Sequence, residues 1–465
     1  MKSMRLSFFL GILFLQAGLW AQSEMSMSLP MPLNEPMGSG TAWLPASSPV
    51  HEHAFHFQAG DWNLMAHGDF NARYTRQNAN NEDKWRPLIS NQANGAGPPG
   101  PIGATGTAGR SLYPDRERGG DQVDLPNWAM LSADRVVWGE DRLLLRVMMS
   151  LDPLTEGRKG YPLLFQTGEG LTDRQHAHDL FMEMAALYKH HFTEADHAYL
   201  YLGLPGEPAL GPAAFMHRPS AWNDPDAPLA HHMQDATHIT YGVATAGWIH
   251  RNVKLEGSCF RGREPDNDRW NIERPGFDSY SLRLGADLGE SFSLQGSGGY
   301  LQDTEPDAAG VDLFRGTLSL DHNIRIGEDG NWASAIFYGS NTYVHGPLRG
   351  MTNSLGVETN REFNRAAIWG RWESLERLGG ELDLPGPENR FFWVHALTAG
   401  AGWTVAKAAG MECVAGGQGT LNVTEKELEP FYGKLPLAWE IFLKLRPAAM
   451  KMHGHMHPGM ESHSP

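Results

Sequence analysis

The sequence predicts an all-β fold, namely a transmembrane, antiparallel, up-and-down β-barrel of about 16 strands, within a range of about 14 to 18. Three observations support this fold class. Apolar and polar residues alternate along many segments, as strands with one face in lipid and one in the lumen require. Short and long connections alternate between these segments, and tryptophans lie near the segment ends.

Composition narrows the class of protein before any motif is considered. The chain has 465 residues and a formal net charge of -16, with 53 Gly and 30 Pro. Its 15 Trp, 12 Tyr and 20 Phe exclude a disordered chain. A pI of about 5.7 argues against a nucleic-acid partner, and a mean hydropathy of -0.41 is too polar for a helical membrane protein. Because two cysteines are too few for a disulfide scaffold, a soluble β-rich protein or a transmembrane β-barrel remains.

The first 21 residues predict a secretory signal peptide. Lys2 and Arg5 form a positive start, residues 6–15 form an apolar run, and Ala21 is a small residue at the expected cleavage site. An uncleaved anchor is the alternative, since Leu19 occupies a position that prefers a small residue. The expected organisation is a signal peptide at 1–21, a periplasmic Met/His-containing segment at 22–52, a barrel at 53–447 and a Met/His-rich tail at 448–465.

Period-two alternation is clearest in the last predicted strand. One face of this strand carries the apolar residues Leu437, Trp439, Ile441, Leu443 and Leu445. The other face carries the charged residues Glu440, Lys444 and Arg446. Residues 280–288 repeat this pattern, and so do residues 142–149, except that Leu144 and Met148 are apolar on the polar face. In a barrel, the apolar face contacts lipid and the polar face lines the lumen.

The spacing of these segments predicts sixteen strands with short periplasmic turns and long outer loops. An even number places both ends of the barrel on the periplasmic side, and about 16 strands leave an aqueous lumen. The longest connection, 78–126, is a candidate to fold inward. The predicted strands are 62–77, 127–138, 142–150, 179–191, 196–203, 237–249, 252–262, 277–287, 291–302, 311–324, 330–343, 352–360, 364–374, 391–406, 410–422 and 436–446.

Eight tryptophans lie at or near the predicted strand ends. This position predicts an interfacial aromatic girdle, and packing in the core of a soluble sandwich is the alternative. They are Trp62, Trp128, Trp138, Trp248, Trp332, Trp369, Trp372 and Trp439.

Four internal motifs resemble a largely uncharacterised family of Gram-negative outer-membrane β-barrel proteins. They are DRQHAHDLFMEM (173–184), LPGEPALGPAAFMHR (204–218), HHMQDATHITYG (231–242) and FRGREPD (260–266). The resemblance implies a single, loosely porin-like barrel that keeps company with copper or heavy-metal resistance, and it carries over no catalytic residues. It implies outer-membrane lipid, lipopolysaccharide and the barrel-assembly machinery as partners. A homo-trimer is expected by analogy with porins.

The C-terminal tail is the first candidate metal site. Thioether and imidazole ligands together suit Cu(I), and imidazoles alone also suit Cu(II), Ni(II) or Zn(II). The alternative is a flexible polar tail with incidental histidines. The candidate ligands are Met450, Met452, His453, His455, Met456, His457, Met460 and His463.

A similar composition near the mature N-terminus suggests that both ends share a Met/His site below the pore. The alternative is that the methionines belong to a linker and the histidines to the first strand. The residues are Met25, Met27, Met31, Met37, His51, His53, His56, Met65 and His67.

Two internal histidine groups are further candidates for metal binding. His176, His178 and Asp179 begin a strand after a long loop, and Glu183 or His232 would complete a site with them. The pair His231 and His232 closes another long loop and is also a candidate. The alternative for these side chains is hydrogen bonding that fixes loops inside the lumen.

Charged residues predict the lining of the pore. Arg263 and Arg283 would face Glu264, Asp266 or Asp278 at a constriction, although a salt-bridged loop base explains these charges equally well. The inward side of the last strand adds Glu440, Lys444 and Arg446.

The sequence predicts no enzyme, because neither a G-x-S-x-G nor an H-E-x-x-H motif occurs. It also predicts no required cofactor, with copper as a bound ion. The expected function is a channel for passive passage or binding of a small solute, linked to transition-metal handling and aided by a periplasmic metal carrier. A general porin and an outer-membrane barrel hydrolase are the alternatives.

Overall fold

The computed structural model describes residues 37–50, 52–81, 118–305, 310–327 and 330–449. The strands are β1 Phe55–Ala59, β2 Trp62–Gln77, β3 Gly120–Asp124, β4 Asn127–Trp138, β5 Asp141–Met149, β6 Tyr161–Gly168, β7 Leu171–Gln175, β8 Phe181–His191, β9 Asp196–Gly203, β10 Val243–His250, β11 Val253–Phe260, β12 Ser279–Asp287, β13 Phe292–Leu301, β14 Asp312–Arg325, β15 Gly330–His345, β16 Gly350–Phe363, β17 Ala366–Leu378, β18 Phe391–Ala408, β19 Met411–Thr424 and β20 Leu437–Pro447. The helices are α1 Asp152–Thr155, α2 His231–Gln234 and α3 Glu429–Tyr432, with 3-10 turns at Phe215–His217, Ala236–His238 and Lys426–Leu428.

The sheet closes on itself as a 16-stranded antiparallel barrel. Each wall strand pairs with its neighbours along the chain, and β2 closes the seam by pairing with β20 from Phe70↔Leu445 to Arg76↔Trp439. Strands β3 and β4 both pair with β2 and form one interrupted wall strand, whereas β6 and β7 form a separate hairpin. Closure removes the sheet edges, which a barrel in lipid cannot leave unpaired.

The predicted alternation of faces is confirmed. In β20, Ile441 and Leu443 point outward and are exposed, whereas Glu440 and Lys444 point inward and are buried. The same pattern holds in β12. In β5, the apolar exceptions Leu144 and Met148 face the inside and are buried. A band of exposed Leu, Ile, Val and aromatic side chains therefore surrounds a polar interior.

This exterior supports a first prediction. Leu282 is exposed in the middle of β12, so Leu282→Arg should destabilise the folded barrel in lipid by about 2–4 kcal/mol, because the guanidinium would lie near the bilayer midplane. Leu288→Arg, in the turn after β12, is the matched control and should cost about 0–1 kcal/mol. Urea titration of both variants in vesicles measures the difference, and equal costs would contradict a lipid-facing β12.

The two ends of the barrel differ as predicted. One end carries short turns, such as those after His250 and Phe363, together with the chain ends of the barrel, and the other end carries the long connections. The predicted strand 237–249 begins later, at Val243, because residues 236–242 are folded into the lumen and Ala236–His238 forms a buried 3-10 turn. Among the described residues, no helix is long and apolar enough to span a membrane.

Four of the tryptophans predicted to form a girdle lie on the exterior of the barrel, and two point into its interior. Trp138, Trp248, Trp332 and Trp372 are exposed at the barrel surface. Trp369 instead points inward, where its Nε1 donates to Gln418 Oε1 at 2.7 Å. The ring of Trp128 packs inside against His67 and His217. The prediction of an exterior position was wrong for these two residues, because the interior offers them polar and aromatic partners.

The interior differs from the expected aqueous lumen, because chain segments occupy it. Residues 37–50 lie inside the wall rather than below it: Arg283 Nη2 donates to Thr41 Oγ1 at 2.8 Å, and Gln295 Nε2 donates to the Trp43 carbonyl at 2.9 Å. Two outer connections, 151–180 and 204–242, also fold inward and are largely buried. The proposed inward loop 78–126 is described only at 78–81 and 118–126, and its remainder lies outside the described residues.

Candidate metal centre

The two inserted connections bring three buried histidines together inside the barrel. His176 follows β7, and His231 and His232 form the first turn of α2. One ring nitrogen from each of the three lies within 4.8 Å of the others. We call His176, His231 and His232 the three-histidine cluster. Two of the histidine groups predicted from the sequence therefore meet at one point.

Hydrogen bonds fix which nitrogen each ring presents. Nδ1 of His231 lies 2.7 Å from Asp235 Oδ1, and Nδ1 of His232 lies 3.1 Å from Glu264 Oε1. Within the part of the chain that the structure describes, the buried Nε2 atoms of His231 and His232 have no hydrogen-bond partner. A carboxylate on Nδ1 and a free Nε2 is the arrangement that metal-ligating histidines use.

The third ring, that of His176, lies beside a backbone carbonyl and a carboxylate. Nδ1 of His176 lies 3.2 Å from the Ala177 carbonyl and 3.5 Å from Glu169 Oε2, and Glu169 is itself paired with Arg269. The ring centroid of His176 lies 5.9 Å from that of His231 and 5.4 Å from that of His232. The three imidazoles thus approach from different directions rather than stacking.

The environment of His176 and His231 favours their neutral form, which is the form of imidazole that binds metal. Burial lowers the pKa of His176 well below its usual value, and the charge of Arg269 lowers it further. Burial also lowers the pKa of His231, although the Asp235 carboxylate partly offsets this. For Asp235, burial alone would raise the pKa, but Arg218 and His231 lower it on balance, so its carboxylate is charged.

Two more histidines adjoin the cluster. The ring of His238 lies 5.1 Å from that of His231 and 5.7 Å from that of His178. Nδ1 of His178 lies 2.9 Å from Asp152 Oδ2, and Nδ1 of His238 lies 2.9 Å from the Asp235 carbonyl. Their Nε2 atoms are buried and have no hydrogen-bond partner among the described residues. Burial lowers the pKa of His238 to about 3.

Two of the predicted partners lie elsewhere. Asp179 accepts from the Tyr241 hydroxyl at 2.9 Å and from Arg269, so it stabilises loop packing. Glu183 accepts from Arg146 at 2.9 Å and Tyr201 at 2.7 Å on the barrel wall. Neither carboxylate belongs to the three-histidine cluster.

The barrel wall holds the cluster in place. Arg315 Nη2 and Asn341 Nδ2 donate to the His232 carbonyl at 2.8 and 3.0 Å. Arg218, fully buried, joins Asp235 on the inserted loop to Glu358 on the wall at 2.7 and 2.8 Å. The ligand geometry is therefore set by β14, β15 and β16 as well as by the loops.

The predicted pore-lining residues fall into two groups. Arg283, Glu440, Lys444 and Arg446 are inside the barrel and buried. Arg283 donates to Thr41 Oγ1 at 2.8 Å and to the Gly211 carbonyl at 3.1 Å, and Lys444 donates to the Trp222 carbonyl at 2.6 Å, so both hold inserted chain. The others lie at the outer loops and match the alternative of a salt-bridged loop base: Arg263 pairs with Asp303, Asp266 caps the following turn, and Glu264 holds His232.

The terminal metal sites are only partly described. The tail residues Met450 to His463 lie outside the described residues, as do Met25, Met27, Met31 and His51. The remaining N-terminal residues Met37, His53, Met65 and His67 line one interior cavity, whereas His56 lies in β1. Cys259 and Cys413 are both free cysteines.

Sequence reasoning missed two residues of the centre. Asp235 and His238 were not singled out, although His231 and Asp235 are four residues apart, the spacing at which helical side chains meet. The prediction assigned Glu264 to a pore constriction instead of to a histidine. The usable signal was HHMQDATH, in which three histidines and one carboxylate share eight residues.

The exterior determines where the barrel resides. A closed antiparallel barrel with an apolar outer band and a polar interior is stable in a bilayer, and this architecture is that of bacterial outer-membrane barrels. The chain is an outer-membrane β-barrel of a Gram-negative bacterium.

Comparisons with known proteins found matches among solved structures alone. No known protein family and no curated protein sequence matches the chain. Among solved structures, it is similar to Salmonella typhi OmpF in complex with daunomycin, with a TM-score of 0.48, 9% identity, and coverage of 84% of this chain and 99% of that one. It is also similar to the anion-selective porin from Comamonas acidovorans (TM-score 0.42, 9% identity, coverage 83% and 99%) and to the outer-membrane channel DcaP of Acinetobacter baumannii (TM-score 0.42, 8% identity, coverage 84% and 99%). The strand pairing itself establishes a closed, antiparallel, 16-stranded barrel.

Proposed function

We propose that this barrel binds a divalent transition-metal ion at the three-histidine cluster and serves in passive metal handling across the outer membrane. The observation that carries the proposal is the geometry of the cluster. Three buried imidazoles converge, and two of them keep Nε2 free while a carboxylate holds Nδ1. A buried nitrogen without a partner is costly unless a ligand satisfies it.

The ligand set favours particular metals. Imidazole nitrogen suits Cu(II), Ni(II) and Zn(II), and Cu(II) is bound most tightly in the Irving–Williams order. Three histidines leave a further coordination position open, as in exchangeable rather than closed structural sites. Cu(II) is therefore the leading ion, and Zn(II) is the second.

The tail supplies a proposed partner for this site. Four methionines and four histidines between residues 450 and 463 suit capture of copper near the periplasmic end of the barrel. A tail in this position would exchange the ion with a periplasmic carrier, and flow would follow the concentration gradient.

Copper titration tests the lumen site. The protein, folded in detergent and lacking residues 448–465, should bind one Cu(II), and His176→Ala should weaken that binding by about 100-fold or more, since it removes one of three ligands. His250→Ala removes an exposed histidine that contacts Asp196 in a periplasmic turn, and this control should bind as the parent does. Nitrogen hyperfine structure in the electron paramagnetic resonance spectrum should show three imidazoles in the parent and two in His176→Ala.

The outcomes separate the two proposed sites. Cu(II) binding that disappears when the tail is removed would assign all copper capture to the tail and overturn the lumen site. Absence of Cu(II) and Zn(II) binding in both the full and the truncated chain would leave a porin-like barrel without a metal role.

A further inference from the structure

An interior cavity lies closer to the periplasmic end, and four methionines form part of its lining. Its volume is about 100 Å³. Its lining includes Met37, Met65, Met130 and Met216, with His67 and His217. We call these six residues the methionine cavity. It shares no residue with the three-histidine cluster.

The wall strands place these side chains in register. His67 of β2 lies directly opposite Met130 of β4, and Met130 lies opposite Met148 of β5. Further along β2, toward the outer end, the inward positions carry Asn71 and Arg73 instead. Thioethers and an imidazole thus interrupt the polar lining of the barrel over one patch.

The inserted loop completes the cavity from above. The 3-10 turn Phe215–His217 supplies Met216 and His217. The ring of His217 lies 5.8 Å from that of His67 and 4.9 Å from that of Trp128. Burial lowers the pKa of His217 well below its usual value, and His67 lowers it further, so this imidazole is neutral.

We propose that the methionine cavity binds a soft monovalent metal ion, Cu(I) or Ag(I), on the periplasmic side of the barrel interior. Thioether sulfur selects Cu(I) over harder divalent ions, and imidazole supports it. The charges at the margin of the cavity also favour a single positive charge. Three charged side chains reach the lining, and each is already paired: Arg146 with Glu183, Arg446 with Glu412 and Asp69 with Lys444. Little uncompensated negative charge therefore remains to balance a divalent ion.

Apolar packing is the competing explanation, because methionine readily fills irregular cores. Two methionines of this chain pack in the interior without reaching the cavity. Met148 and Met182 belong to the same buried cluster as Met65 and Met130 but do not line the cavity. These two methionines therefore provide a matched control from the same buried cluster but outside the cavity lining.

Titration with Ag(I), and with Cu(I) kept reduced by ascorbate, tests the site in detergent-folded protein lacking residues 448–465. Met65→Leu/Met130→Leu conserves side-chain volume and should keep the fold while lowering Cu(I) affinity at least about tenfold. Met148→Leu/Met182→Leu should bind as the parent does. Copper X-ray absorption should show sulfur scattering in the parent and in the control, reduced in the cavity variant.

Heat-modifiable migration and circular dichroism check that each variant is folded. Equal Cu(I) affinity and equal sulfur scattering in the two double variants would overturn the proposal, as would absence of Cu(I) and Ag(I) binding in the truncated parent. His176→Ala, which removes the divalent site, should leave Ag(I) binding unchanged, so failure of one site is distinguishable from failure of the other.

Discussion

Replacing Arg218 by methionine should loosen the inserted loop and let the barrel conduct ions. Arg218 is fully buried and joins the loop to the wall through Asp235 at 2.7 Å and Glu358 at 2.8 Å. Arg218→Met conserves the side-chain volume but removes the buried cation that pairs with both carboxylates. Glu358 still pairs with Arg371 in this variant. Breaking such a pair costs about 3–5 kcal/mol, which shifts the docked-to-undocked ratio by roughly a hundredfold to a few thousandfold.

Single-channel recording in planar bilayers measures this effect. The parent should stay closed for most of the record, and Arg218→Met should open far more often. Arg325→Met removes an arginine of an exposed pair with Glu52, and because such a pair is worth about 0–1 kcal/mol this control should resemble the parent. If both variants recorded the same open probability, the loop would not be held by the Arg218 pairs.

Excision of the loop core should have the larger effect and give a permanently open pore. Gly206 and Thr240 form an isolated antiparallel bridge, with both backbone hydrogen bonds at 2.9 Å. Residues 208–238 can therefore be replaced by a short Gly/Ser linker without moving β9 or β10. The wall charges would then be hydrated rather than left unpaired, so the barrel should still fold.

A steady ion current is the expected result, because an unfilled 16-stranded barrel leaves an aqueous channel. Replacement of the exposed outer-loop residues 385–389 by a linker is the control and should leave the barrel closed. A closed pore after excision of 208–238 would show that residues 37–50 and 151–180 suffice to block the lumen.

The wall of the barrel was predictable from the sequence because each wall strand contacts lipid on one face, which requires apolar residues at alternate positions. The alternation of Leu282 and Leu284 with Arg283 fixed the faces of β12, and β20 followed the same rule. The predicted start of β10 at residue 237 was wrong. Thr237 and Ile239 occupy alternate positions as they would in a strand, but tertiary packing folds them into the lumen.

The contents of the lumen were less predictable, because an inserted loop and an outer loop have similar composition. Arg218 and Asp235 are ordinary loop residues by sequence, and only the wall residue Glu358 shows that they are buried. The three-histidine cluster was accessible in part, since His176 and His232 were already considered together. Leu144 and Met148 were noted as apolar exceptions in β5. Leu144 lines the methionine cavity, whereas Met148 lies outside that lining and opposite Met130.

The seam between β2 and β20 constrains how this protein assembles. Phe70 and Leu445 pair across almost the whole length of the chain, so the barrel cannot close until the last strand has been delivered. Residues 37–50 and the loop 204–242 lie within the wall that this pairing seals. The order of assembly is therefore fixed: the internal segments must settle while the sheet is still open, and closure kinetically traps what they enclose. Closing so long a chain interval is slow, which gives the interior time to pack before the seam forms.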